Sequence, residues 1–188
     1  MDTEDKLRIA DCHVGGRVAK RPLVSKKRRG RLQNIEEEIG RLLVDRGLTL
    51  AVAESCTGGL IGHRITSVSG SSAYFLGGII AYSDEVKTRE LGVVRKVLKR
   101  DGAVSESVAQ QMTIGVRDRF KADIGLGVTG IAGPTGGSAD KPAGLVFIGL
   151  TDGKRCRVCR FNFGGNRATV KKSSSQAALE MLRDFLKK

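Results

Sequence analysis

Tryptophan is absent from this chain of 188 residues, aromatic side chains make up only 4% of it, and histidine occurs twice. A core must therefore rest on Val, Ile, Leu and Ala packed around the 25 glycines, which is the composition of an α/β protein. No run of 18 or more apolar residues occurs, which excludes a membrane-spanning helix. Asp2, Glu4 and Asp5 stand where a secretory leader would be positive and then apolar. The expectation is a soluble, cytoplasmic protein with no membrane partner. Its length allows one domain of ordinary size with a hydrophobic core.

The shortage of histidine also limits metal chemistry. Among the four cysteines, Cys12 lies in the N-terminal tail, Cys56 in a central turn, and Cys156 and Cys159 form a lone Cys-Arg-Val-Cys in a stretch that reads as a strand. Structural zinc wants a second pair or nearby histidines, and His13 and His63 are distant in sequence. No metal site is expected, and free thiols in a reducing compartment fit better.

The net charge is +13, unevenly spread. Residues 1–34 hold ten Lys or Arg against four Asp or Glu, and between Arg17 and Arg31 there are eight basic residues and no acidic one. With Gly15, Gly16, Pro22 and Gly30 breaking any helix, 1–31 reads as a basic, disordered extension. Salt-sensitive contact with nucleic acid is one reading of it. A solvated extension is the other, favoured because no aromatic side chain interleaves the charges for base stacking.

From Leu32 to Lys188 the chain alternates helical and strand patterns. Ile35, Ile39, Leu42 and Leu43 share a helical face that Gly47 stops, so 33–46 is a first amphipathic helix. Leu48 to Ala53 reads as a buried strand and Thr57 to Ser67 as a helix. Gly77 to Ser83 reads as a second strand, with Asp84 capping a helix to about Leu91. Ser105 and Glu106 open a longer helix through Phe120, followed by a strand at Ile124 to Val128 and a glycine-rich loop from Thr129 to Gly137. Leu145 to Leu150 and Arg157 to Phe161 form a hairpin around Asp152-Gly153. Arg167 to Leu186 is a closing helix with Val170, Ala177, Ala178, Met181, Leu182 and Phe185 on its apolar face. The fold class is α/β, a single layered domain with a mixed sheet flanked by helices.

Four polar or glycine-rich turns follow strands: Glu54 to Gly59, Tyr82 to Lys87, Thr129 to Gly137 and Gly164 to Arg167. Ligands of open α/β sheets bind at strand ends near helix N-termini, so these turns are expected to converge on one site. The first is central. Its run Ala-Glu-Ser-Cys-Thr-Gly-Gly puts hydroxyl and thiol side chains at a strand-to-helix corner, where free N–H groups favour an oxyanion and Gly58 and Gly59 admit a ligand to the backbone. On the residues alone, Ser55 or Thr57 serves equally well as a helix cap. Cys56 competes as a nucleophile, although a small buried thiol is the plainer reading. Tyr82 reads as a strand-end core residue, Lys87 as a solvated helix residue and Thr129 as a loop cap. Glu54 reads as a helix cap or an ion-pair partner, and His63 as structural or exposed.

Five motifs shift these readings. AESCTGG at Ala53–Gly59, AYSDEVK at Ala81–Lys87, GAVSE at Gly102–Glu106, VTGIAGPTGG at Val128–Gly137 and KPAGLV at Lys141–Val146 closely resemble the CinA C-terminal domain family, from about Ile35 to the C-terminus. The best-understood members of that family are nicotinamide-nucleotide amidohydrolases. The resemblance implies hydrolysis of nicotinamide mononucleotide to nicotinic acid mononucleotide and ammonia, within pyridine nucleotide salvage. It places a serine nucleophile on Ser55, a tyrosine on Tyr82 and a lysine on Lys87, and it matches a hydroxyl residue to Thr129 and, more loosely, an arginine to Arg167. It also implies a homodimer or larger assembly.

The chemistry is coherent. Ser55 needs a base, and Lys87 serves if it is held neutral, which requires about 3 units of depression from 10.4, or roughly 4 kcal/mol. Tyr82 relays the proton or orients the lysine. N–H groups of Thr57, Gly58 and Gly59 would receive the oxyanion, and Thr129, Gly130 and Arg167 would bind the substrate, with Arg167 on the phosphate. No metal or organic cofactor is needed. Two other classes stay open: a nucleic-acid-associated protein acting through its basic tail, and a nucleotide-binding module without hydrolysis.

Overall fold

The computed structural model describes residues 34–188, so the disorder and nucleic-acid contact expected of 1–31 lie outside the described residues. The first helix, α1 (Ile35–Arg46), begins where the Asn34 side chain accepts the Glu37 N–H at 2.9 Å. Glu36, Glu37 and Glu38 sit in its first turn, where the helix dipole favours negative charge, and Gly47 ends it. The elements that follow are β1 (Leu50–Glu54), α2 (Leu60–Thr66), a short 3-10 turn (Ser71–Ala73) and β2 (Phe75–Ile80). After them come α3 (Asp84–Leu91), α4 (Arg95–Asp101), α5 (Glu106–Phe120), β3 (Ile124–Gly130), β4 (Leu145–Thr151), β5 (Cys156–Asn162) and α6 (Arg167–Leu186).

The five strands form one mixed sheet in the order β2-β1-β3-β4-β5. β1 runs parallel to both β2 and β3, while β4 and β5 are antiparallel, as a hairpin requires. The chain leaves β1 for β2 on one side and later crosses to β3 on the other, so the end of β1 is a topological switch point. That is where open α/β sheets leave a crevice.

Period-two alternation along β1 divides the core. Leu50 and Val52 face a layer with Ile39, Leu43, Ile61, Leu179 and Leu182 from α1, α2 and α6, while Ala51 and Ala53 face Val108, Met112 and Val116 of α5. The second face is lined with small residues because α5 lies almost on the sheet. A Cβ added at Gly127 or Gly149 would overlap the Thr113 hydroxyl, and one at Gly125 would overlap the Thr113 carbonyl. Much of the glycine content therefore serves close packing.

Several boundaries differ from the sequence expectation. α2 starts at Leu60 because Gly58 and Gly59 have φ of +60° and +92°, a conformation that ends any helix reaching back to Thr57. β2 stops at Ile80, so Tyr82 and Ser83 lie beyond the strand. Ser83, not Asp84, caps α3, its hydroxyl accepting the Val86 N–H at 3.3 Å. β3 runs on through Thr129 and Gly130, which pair with Phe147 and Val146 and so belong to the sheet instead of the loop. α4 was not expected; its sequence is mostly charged and only Leu98 is buried. On α6 the buried face includes Ser174, Ser175, Leu179 and Leu186, while Ala177, Met181 and Phe185 pack at its margin.

Candidate functional site

All four turns meet. A cavity of about 240 Å³ opens at the carboxyl ends of β1, β2 and β3, lined by Ser55 and Cys56, by Tyr82, Asp84 and Lys87, by Thr129 through Gly133, and by Arg167. Thr135 and Gly136 complete that loop's share, and Ala103 and Val104 add a wall from the connection between α4 and α5. Thr57, Gly58 and Gly59 are not among the lining residues.

The reason lies in Glu54. This carboxylate is only 2% exposed and accepts the N–H groups of Gly59, Ile61 and Gly62 at 3.0, 3.1 and 2.8 Å. It closes the N-terminus of α2 from within, bearing out the capping alternative. The Gly58 N–H is likewise engaged, by the Ser55 carbonyl at 3.1 Å. Of the donors expected to form an oxyanion hole, Gly58 and Gly59 are therefore occupied. The Thr57 N–H has no acceptor among the described residues, and the Thr57 hydroxyl is buried without a partner.

Ser55 holds its backbone by donating its N–H to Val128 at 3.0 Å, and its side chain, 7% exposed, lines the cavity. Lys87 is the largest fully buried side chain among the described residues, 2% exposed. Its ammonium lies 3.4 Å from the Tyr82 carbonyl and 3.5 Å from Asp84, whose side chain is 60% exposed. The helical turn from Ser83 folds Lys87 back under the site instead of out to solvent. Tyr82 is 59% exposed, and its hydroxyl accepts an Arg167 N–H at 2.5 Å. A second Arg167 N–H donates to the Gly133 carbonyl at 3.0 Å. Arg167 thus ties Tyr82 to the glycine-rich loop.

Burial pushes the Cys56 thiol up to about 12, despite the lowering influence of its own N–H, Arg167 and Lys171. The raised value fits the plainer reading of Cys56 as a small buried thiol. Thr129 donates its hydroxyl to the Ala103 carbonyl at 2.8 Å, holding the 101–105 connection against β3. Lys141 fixes that connection from the other side, its ammonium bonded to the Asp101 carbonyl and, at 2.9 Å, to the Val104 carbonyl. Gly130 is required by packing, since a Cβ would stand 2.7 Å from Val146 and 3.0 Å from the Cys56 sulfur.

Cys156 and Cys159 lie three apart on β5 and so on opposite faces of the strand, which keeps them from chelating one ion. Among the described residues no cluster of three or more His, Cys, Asp or Glu could hold a metal, and no helix is long and apolar enough to cross a membrane.

The model of the CinA C-terminal domain matches residues 32–186. A CinA-like protein of Citrifermentans bemidjiense is 49% identical over 154 residues, which is 82% of this chain and 37% of that protein. The chain thus spans less than two-fifths of the length of such curated relatives. Among solved structures, the competence damage-inducible protein A of Klebsiella pneumoniae is 34% identical, with a TM-score of 0.79 over 81% of this chain and 94% of that one. The competence/damage inducible protein of Agrobacterium tumefaciens is 36% identical, with a TM-score of 0.76 over 85% of this chain and 100% of that one.

Proposed function

The chain belongs to the CinA C-terminal domain family, and from that premise we propose that it is an amidohydrolase that deamidates nicotinamide mononucleotide to nicotinic acid mononucleotide and ammonia. The observation that carries the reading is that Ser55 and the buried Lys87 line one cavity at the strand switch point.

The Ser55 hydroxyl attacks the carboxamide carbon as Lys87 takes its proton. The tetrahedral oxyanion forms in the cavity beside Ser55. Lys87 returns the proton to nitrogen, the C–N bond breaks and ammonia leaves an acyl-enzyme. Water then attacks the ester with Lys87 again as base, releasing the carboxylate and restoring Ser55. Tyr82 holds Lys87 through its carbonyl and closes the site beside Arg167 through its hydroxyl.

Ammonia release from nicotinamide mononucleotide tests this, with wild type, Ser55→Ala and Lys87→Ala side by side. Turnover in wild type and a loss of at least ~100-fold in each variant is expected. Silence in wild type overturns the reading, and full turnover in either variant overturns that residue's role.

A further inference from the structure

Arg167 is already engaged by two neutral partners, the Gly133 carbonyl and the Tyr82 hydroxyl. Lys171, one turn along α6, is not. It forms no ion pair or side-chain hydrogen bond among the described residues, and its ammonium stands above the turn that begins at Ser55: a Cβ on Gly58 would lie 3.2 Å from Lys171 Nζ. Gly58 is exposed and in the left-handed region, so its backbone offers a bare surface beneath that ammonium. The Gly58 N–H to Ser55 carbonyl bond of 3.1 Å puts this spot one tight turn from the nucleophile.

Lys171 has no carboxylate in contact with it among the described residues. The first turn of α6 contains no acidic residue, so the positive end of the helix dipole adds to Arg167, with Lys171 one turn further along. The nearby Glu54 carboxylate is occupied by three N–H groups of α2. Size points the same way. At about 240 Å³ the cavity is smaller than the roughly 300–1,000 Å³ usual for drug-sized ligands, so a mononucleotide with its amide at Ser55 extends past the mouth. Lys171 lies outside the lining residues, beside the Gly58 turn that follows Ser55 and Cys56.

We infer that Lys171, above the Gly58 turn, seats the phosphate of the nucleotide substrate, while Arg167 acts as a positioning residue for Tyr82 and the glycine-rich loop. The inference rests on the deamidase reading for its substrate and moves the phosphate contact from Arg167 to Lys171.

The test compares wild type, Lys171→Ala and Lys171→Arg on nicotinamide mononucleotide and on nicotinamide riboside, which lacks the phosphate, with calorimetric titration of nicotinamide mononucleotide in parallel. Lys171→Ala is expected to raise KM for the mononucleotide on the order of 10- to 100-fold with kcat within a few-fold, since an interaction made equally in ground and transition state is lost. The riboside should show a far smaller loss, and Lys171→Arg should restore most of the affinity. An unchanged KM for the mononucleotide, or equal losses on both substrates, overturns the inference. If wild type turns over neither substrate, the deamidase reading fails by itself. Titration then decides: binding weakened at least tenfold in Lys171→Ala keeps the phosphate seat, and equal or absent binding overturns it.

Discussion

Replacing Glu54 tests whether the N-terminus of α2 is closed by the protein's own carboxylate and so withheld from a ligand. The side chain is 2% exposed and accepts three N–H groups at 2.8 to 3.1 Å. Glu54→Ala strands all three donors, and a buried donor left unmet costs ~1–3 kcal/mol. Water reaches Gly59 and Gly62, which are part-buried, more easily than Ile61, which is fully buried. The expected loss is therefore about 3–5 kcal/mol, below the sum of three full penalties. Glu54→Gln keeps one oxygen for Gly59 and Ile61 but turns its amide N–H₂ toward the Gly62 N–H, so about half that loss is expected. Urea denaturation followed by circular dichroism measures both. A Glu54→Ala protein within 1 kcal/mol of wild type at an unchanged m-value would refute the capping argument. Turnover separates capping from catalysis: folded Glu54→Gln should release ammonia within about tenfold of wild type, whereas loss of a catalytic carboxylate costs ~100- to 10,000-fold.

The Cys56 thiol, raised to about 12 by burial, makes a signed prediction for alkaline pH. The folded state holds its proton more tightly than the unfolded chain, whose thiol titrates near 9. The contribution is thus intact below about pH 9 and is lost as pH rises from there toward 12, with a slope of up to ~1.4 kcal/mol per pH unit. Denaturation of wild type and Cys56→Ala between pH 8 and 10.5 reads this as a steeper decline in wild type; equal slopes would reject it. In the core, Gly149→Ala drives a methyl into the Thr113 hydroxyl and is expected to cost ~1–3 kcal/mol. Thr113→Ala removes the overlapping oxygen, so the double variant should recover part of the loss, and strict additivity would show that α5 does not rest on the glycine face.

Local chemistry was legible in the sequence wherever it is local in the fold. α6 runs from Arg167 to Leu186 as its pattern predicts, and Ser105 caps α5, its hydroxyl accepting the Val108 N–H at 3.4 Å. α4 carries no sequence signal, because a short charged helix with one buried residue has no apolar periodicity. The start of α2 departs from its pattern because the apolar spacing continues back through Thr57, whereas the backbone is decided by two successive glycines with positive φ. Convergence of the four turns depends on strand order, a non-local property, so it entered only as an expectation from fold class. The wall from Ala103 and Val104 had no signal of its own beyond its motif. Its place in the site is set by Thr129 and Lys141, which reach it from β3 and from the loop before β4.

The division between committed and uncommitted polar groups is what separates chemistry from scaffolding here. Glu54 is spent on α2, Thr129 and Lys141 on the 101–105 connection, and two Arg167 N–H groups on Tyr82 and Gly133. Each has a structural partner, so each can be explained without a ligand. The Ser55 hydroxyl, the Thr57 N–H and the Lys171 ammonium have none among the described residues, and all three belong to one turn and the helix above it. Among them the Thr57 N–H, fully buried and unpaired, costs stability that pairing would have recovered, whereas the Ser55 hydroxyl and the half-buried Lys171 reach solvent. Their concentration at the end of β1, over a lysine that α3 folds inward, is the arrangement an amide and a phosphate on one small molecule would together satisfy.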